Sequence, residues 1–180
     1  MAQYSDRALS CGGVVYGRGG SGLSITFVAG DIFLSSAQVI ALGHNARGRQ
    51  ENNALTIELA YRYPAAFATY RKQIRAGRLH PGDYWMWREA SPWLAMLIVR
   101  NAGVSATRTR HVEEVVQKLA RDWQREGLTS LAIIRFGDTG EWPAIRAVLA
   151  YWLDTITLPV VVYETHQPGI RAPEAWDSAD

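Results

Sequence analysis

The chain has 180 residues, 48% of them hydrophobic and 20% charged. That is the size and make-up of one globular domain with its own core, and it excludes a largely disordered chain. Nineteen Lys and Arg against seventeen Asp and Glu leave a net charge of +2, too little to argue for a nucleic-acid polyelectrolyte contact, though direct nucleic-acid binding stays open. No apolar run reaches the ~18–20 residues of a membrane span. Met1 to Arg7 carry no apolar stretch of a secretory signal. Cys11 is the one cysteine, so neither an internal disulfide nor a thiolate zinc site is expected, and a reducing cytoplasm fits.

Residues 1–22 read as a hairpin or loop extension. Gly17-Arg18-Gly19-Gly20-Ser21-Gly22 spells GxGxxG, but a dinucleotide fingerprint needs a strand before it and a helix after it. Here a strand follows, Leu23 to Val28. A second apolar run, Ala37 to Leu42, predicts the next strand, and a polar loop spans Gly43 to Asn53. Asn52 or Asn53 caps a helix from Ala54 to about Tyr63. Pro64 starts another helix that reaches about Ala76, with Gly77 at its end.

Two strands are predicted at Tyr84–Trp87 and Trp93–Arg100. After a polar loop, Val112, Val115, Val116, Leu119 and Trp123 recur at helical spacing over 110–126. The run 129–135 is apolar on both faces, as a covered central strand must be. Phe136 to Gly140 forms a tight loop. A helix burying Ile145, Val148, Leu149 and Trp152 follows, and then a last strand, Leu158–Tyr163. Residues 165–180, polar with two prolines, read as a loose tail. Strands alternating with helices give an α/β domain over 23–164, with helices on both faces of the sheet. Ligands in such folds bind beyond the C-terminal ends of the strands.

Four constellations fall at those ends. Asp31, directly after a strand, is placed to accept a ligand amine, or equally to cap the next helical turn. The Gly43–Asn53 loop holds amides, glycines and arginines suited to a sugar phosphate, or is an ordinary connector with a helix cap. Gly137-Asp138-Thr139-Gly140 presents successive N–H groups at a helix start, as an anion nest or a plain βα turn. Arg100-Asn101-Ala102-Gly103, with Arg108 and Arg110, suits a phosphate or distal sugar, or is a solvated loop. His44, His80, His111 and His166 lack metal-ligand spacing, so no metal is expected. No nucleophile elbow, Walker loop or CxxC is present, and no cofactor is expected.

In this order the pieces resemble the macrodomain family, nearest to the antitoxin macrodomains of DNA-ADP-ribosylating toxin–antitoxin pairs. The likeness runs from about Ile25 to Glu164. It rests on Val28-x-Gly30-Asp31-Ile32-Phe33, the Asn-containing loop, the helix ending Tyr61-Arg62-Tyr63-Pro64, the Arg75-Ala76-Gly77-Arg78-Leu79-x-Pro81-Gly82-Asp83 segment, the Gly137 loop and Val161-Val162-Tyr163-Glu164. The resemblance implies a three-layer α/β/α domain with a mixed central sheet and a cleft for ADP-ribose or an ADP-ribosylated macromolecule. It places Asp31 on the adenine amine, Ile32 beside the adenine, Asn45 near the distal ribose and Gly137–Gly140 around the diphosphate.

The sequence departs from that family's pattern in three places. Leu42 stands where the first asparagine of the strand-end motif falls. Gln50-Glu51-Asn52-Asn53 replaces a glycine-rich stretch. Arg100 and Asn101 lie where the hydrolases of this branch carry a lysine, and arginine stays protonated and cannot act as an amine nucleophile. Asp138 is then the remaining candidate for a general acid or base. Two functions follow from the resemblance: ADP-ribose binding, with or without ADP-ribosyl hydrolysis, or a degenerate module that binds a protein partner as an antitoxin does. A third reading, an unrelated nucleotide-binding domain, predicts a wholly parallel sheet.

Overall fold

The computed structural model describes residues 24–102 and 105–177. The extension expected over 1–22, with its GxGxxG run, lies outside them. Six strands and four helices alternate: β1 Ile25–Gly30, β2 Val39–Asn45, α1 Ala54–Arg62, α2 Pro64–Arg75, β3 Tyr84–Trp87, β4 Trp93–Arg100, α3 Thr109–Asp122, β5 Leu131–Ile134, α4 Trp142–Leu153 and β6 Val160–His166. They form one sheet in the order β1-β6-β5-β2-β4-β3. Five strands run parallel, and β3 pairs antiparallel with β4 at the edge. The sheet is therefore mixed, as the resemblance implied, and the wholly parallel alternative does not hold.

Period-two alternation splits each central strand between two cores. Ala95, Leu97 and Val99 of β4 face the helices α3 and α4, where Val112, Val116, Leu119, Ile145 and Leu149 pack. Leu94, Met96 and Ile98 face the other way, against Leu59, Phe67 and Tyr70 of α1 and α2. Three layers result. Among the described residues, no helix is long and apolar enough to cross a membrane.

Most element boundaries fall within a residue or two of the sequence reading; α3 ends at Asp122, four residues before the expected 126, and two further departures are instructive. β2 starts at Val39 and continues through Gly43, His44 and Asn45, three residues assigned to a polar loop by their chemistry. Pairing with β4 holds them in the sheet: Gly43 lies opposite Leu97, His44 opposite Ile98, and Asn45 opposite Arg100 after a register shift. Both polar side chains are buried.

The second departure is the tail. The segment after Thr165 is not loose as far as Asp177. β6 runs on to His166, and the chain then straps back across the end of β1. Gln167 N donates to Gly30 O at 2.9 Å and Asp31 N to Ile170 O at 2.7 Å. Ala172 sits so close to Gly30 that a Cβ there would lie 2.7 Å from the alanine Cβ.

Glu174, only 3% exposed, anchors this strap. Its carboxylate accepts from the Ser35 hydroxyl, from Ser36 N and Oγ at 2.9 Å each, from Tyr163 OH at 2.8 Å and from Trp176 Nε1 at 3.0 Å. A buried charge that collects this many donors is satisfied; removing it strands the donors without water. Glu174→Ala is expected to cost about 2–4 kcal/mol in urea denaturation and to raise amide exchange selectively across 167–176.

Candidate functional site

The C-terminal ends of β2, β4 and β5 meet at one edge of the sheet, where an open cleft of about 240 Å³ lies. Leu42 and Gly43 of β2, Arg100 of β4 and Ile134–Asp138 after β5 form its floor and one wall. Glu51, Asn52, Asn53 and Thr56, from the β2–α1 loop and the start of α1, form the other. This is the position where α/β sheets hold ligands, because the loops there diverge around exposed strand ends.

Asn45 builds the β2–α1 loop. Its buried amide donates to Arg49 O and to Glu51 Oε1, both at 2.7 Å. Its Oδ1 accepts from Arg47 N and Arg49 N, both at 3.1 Å. Two donors and two acceptor sites are thereby used, which is the full capacity of the side chain. The role expected of Asn45, contact with a distal ribose, is not what its geometry provides. It lies outside the cleft lining, and its side chain is spent on the loop that carries Glu51. Asn53 takes the expected cap, accepting from Leu55 N and Thr56 N.

Beneath this loop His44 is buried against Tyr70, their rings 4.7 Å apart in an edge-on arrangement. Its Nδ1 accepts from Asn45 N at 2.9 Å, and Tyr70 OH donates to Asn45 O at 2.8 Å. Burial lowers the His44 pKa from 6.5 to about 4, and the nearby Arg100 and Arg71 act in the same direction. The Tyr70 hydroxyl is pushed above its ordinary value by burial, with the Glu51 charge adding to it.

Glu51 and Arg100 form an ion pair inside the cleft. Glu51 Oε2 lies 3.0 Å from Arg100 Nη2, with the side chains 5% and 14% exposed. The same Nη2 reaches Gly43 O at 3.4 Å. Arg100 Nε is buried without a partner among the described residues. Nothing in the chain's local pattern announces this pair. Glu51 stands in a run of four polar residues, and nothing local distinguishes the one that folds inward. Arg47 and Arg49 of the same loop are exposed and do not line the cleft.

The loop after β5 is shaped by Gly137 and by a reciprocal pair of side-chain-to-backbone bonds. Gly137 has φ +82°, and a Cβ on it would meet Ile145 Cδ1 at 2.5 Å. Asp138 Oδ1 accepts from Glu141 N at 2.8 Å, while Glu141 Oε2 accepts from Asp138 N at 3.0 Å. This reciprocal pair fixes the start of α4. Glu141 Oε1 also accepts from Thr107 N at 2.9 Å, tying the loop before α3 to the same point. The N–H groups of Gly137, Thr139 and Gly140 have no acceptor among the described residues. Phe136 packs its Cβ and Cγ where a Gly43 Cβ would stand, 2.7 Å away.

Asp31 takes the capping role left open by the sequence. Oδ1 accepts from Phe33 N at 3.0 Å and Oδ2 from Gly169 N of the strap at 2.8 Å. A carboxylate has about four lone-pair sites, so these bonds occupy half of them. His166 Nδ1 lies 3.9 Å from Oδ1. Ile32 is fully buried in the α1/α2-side core. Neither Asp31 nor Ile32 lines the cleft described above, which Arg100, Gly137 and Asp138 do. Thr139 and Gly140 are exposed and are not among the residues lining it. Lys118, one of the two lysines, donates instead to Gly82 O and Asp83 on the far side of the sheet edge. No lysine lines the cleft. Among the described residues, no cluster of His, Cys, Asp and Glu could hold a metal ion.

A mixed six-strand sheet in this order, layered between two helix pairs with a cleft over the ends of its parallel strands, is the macrodomain fold. Solved macrodomains match it at low sequence identity. The macrodomain of Thermus aquaticus DarG has a TM-score of 0.69 at 19% identity, over 78% of this chain and 97% of that one. The macrodomain of Mycobacterium tuberculosis DarG gives 0.68 at 16%, over 81% and 98%. Thermosipho africanus DarTG, solved in complex with ADP-ribose, gives 0.72 at 19%, over 87% of this chain; the chain spans 46% of that protein's length. No protein-family model and no curated protein sequence matches the chain.

Three measurements probe this geometry. The unfolded chain binds a proton on His44 more tightly than the folded one, so stability is full above pH ~6.5 and falls as pH drops towards 4. The loss is about 3 kcal/mol. Urea titrations at pH 7 and pH 4.5 are expected to show this slope in the native chain and to lose it in His44→Gln. Gly43→Ala places a Cβ against the immobile Cβ of Phe136 and is expected to lower stability by about 1–3 kcal/mol. Arg100→Leu leaves Glu51 charged and buried, and is expected to lower stability by about 3–5 kcal/mol in the same assay.

Proposed function

We propose that this chain binds ADP-ribose, free or attached to a macromolecule, along the C-terminal edge of its sheet. The observation that carries the reading is the cleft itself. It joins the unpaired N–H of Gly137, with those of Thr139 and Gly140 next in the same loop ahead of α4, to a buried arginine and to the polar loop before α1. Backbone donors at a helix start suit a diphosphate, and the acceptors opposite suit sugar hydroxyls. The Thermosipho protein of the same fold was solved with ADP-ribose, which supports this ligand. Asp31, with half of its acceptor capacity free, would take the adenine amine beside the strap.

Binding without turnover is the form of this reading that the side chains favour. A hydrolase needs an acid, base or nucleophile at the scissile sugar bond. Asp138 is the remaining candidate, yet its carboxylate is exposed and accepts from Glu141 N just ahead of α4, and the cleft holds no lysine. Such a site suits a reader of ADP-ribosylated protein or nucleic acid in the cytoplasm, or an antitoxin-like module that also contacts a protein.

Calorimetric titration with ADP-ribose is the direct test. Micromolar affinity is expected, weakened at least tenfold by Asp31→Asn, which exchanges one acceptor for a donor and gives up a charge-assisted hydrogen bond. Absence of heat with a chain that melts cooperatively would remove ADP-ribose as the ligand. Release of ADP-ribose from modified DNA or protein, abolished by Asp138→Asn, would overturn binding without turnover.

A further inference from the structure

Glu51 changes what the arginine end of the cleft can accept. An arginine in a nucleotide cleft ordinarily invites a phosphate. Here the guanidinium is already matched by a carboxylate of the same chain, at 3.0 Å and almost out of water. A second anion arriving at Arg100 would have to enter beside Glu51, and like charges in a poorly solvated site repel strongly. The pair is held in place from behind: Asn45 Nδ2 donates to Glu51 Oε1 at 2.7 Å, and the Asn45 amide has no spare capacity to release it.

The same carboxylate keeps acceptor capacity. Each oxygen has two lone-pair sites. Oε1 has spent one on Asn45, and Oε2 faces Arg100 Nη2 as an ion pair at 3.0 Å. One site is left on each oxygen of a side chain that lines the cleft. Two adjacent acceptors on a planar carboxylate match two adjacent hydroxyl donors, the pattern of a cis-diol.

We propose that Glu51 is the specificity-determining residue of the cleft: it reads the vicinal hydroxyls of an unphosphorylated terminal ribose and bars a phosphate from Arg100. This rests on the ADP-ribose reading for the identity of the sugar, but the exclusion of anions does not depend on it. The chemical class that fits is a nucleoside diphosphate ending in a neutral pentose. One ending in a phosphate does not fit.

The experiment compares ADP-ribose, ADP and inorganic pyrophosphate by calorimetry on three proteins: the native chain, Glu51→Gln, and the doubly neutral Glu51→Gln/Arg100→Gln. Thermal melting confirms that each is folded. The native chain is expected to prefer ADP-ribose to ADP by at least tenfold, because ADP lacks the terminal diol. In Glu51→Gln that preference collapses to within about threefold, and pyrophosphate binding strengthens on the order of tenfold as Arg100 is freed. The double variant also loses the preference but gains nothing for pyrophosphate.

An unchanged preference together with unchanged pyrophosphate affinity in folded Glu51→Gln overturns the proposal. A pyrophosphate gain with the preference intact overturns the diol assignment. If the native chain binds neither nucleotide, the ADP-ribose reading falls by itself, and the pyrophosphate arm still decides the role of Glu51. If the single variant does not fold, the double variant decides: loss of the preference supports the proposal and retention overturns it.

Discussion

The buried amide of Asn45 is the interaction on which this site depends. It stands at the last position of β2, opposite Arg100 across a register shift, and makes four hydrogen bonds into the loop that follows. A buried amide left unpaired would cost several kcal/mol, so this side chain and its loop order each other. The consequence is the placement of Glu51. The loop turns at Gly48, where φ is +62°, and brings the carboxylate back over the strand end to meet Arg100. His44 and Tyr70 close the underside, one accepting from Asn45 N and the other donating to its carbonyl. One residue thus joins sheet, loop, α2 and cleft.

The second organising feature is the C-terminal strap. It lies where β1 ends and is held by the Glu174 carboxylate and by Ala172, Ala175 and Trp176 packed against the core. Glu174 gathers donors from the Ser35–Ser36 segment, from β6 and from the strap itself, while Gly169 N donates to Asp31. Asp31 is therefore shared between the short turn it caps and the strap. Any ligand amine that used this carboxylate would join two existing bonds. The strap and the Asn45 loop fix opposite ends of the strand edge, and the Gly137 loop lies between them with unpaired N–H groups.

Electrostatics differ between these regions in a way that matters for recognition. The Gly137 loop offers backbone donors at a helix start, which favour negative charge. The Arg100 end is internally neutralised by Glu51. A cleft with free backbone donors in its middle and a balanced ion pair at its end fits the ligand proposed above, whose charge is central and whose terminus is a neutral sugar.

The sequence by itself determined the architecture. Apolar runs marked the strands, apart from the last three residues of β2, and helical spacing marked α3 and α4, since burial on one face or two follows from spacing alone. Pro64 and Gly77 punctuated α2, and the order of the motifs carried the fold that the solved macrodomains share. It also marked Asp31, Arg100 and the Gly137 loop as strand-end residues, because position in an α/β chain follows from topology. Only the tertiary structure decided which partners those residues bond. Asn45 reads as a ligand contact until the register of β2 against β4 turns it inward. Glu51 reads as one polar residue among four until Arg100, far along the chain, meets it. The polar tail reads as loose until Glu174 finds its donors. Each depends on a long-range partner for a polar group, and hydrogen-bond pairing across the fold leaves no periodic trace in the chain.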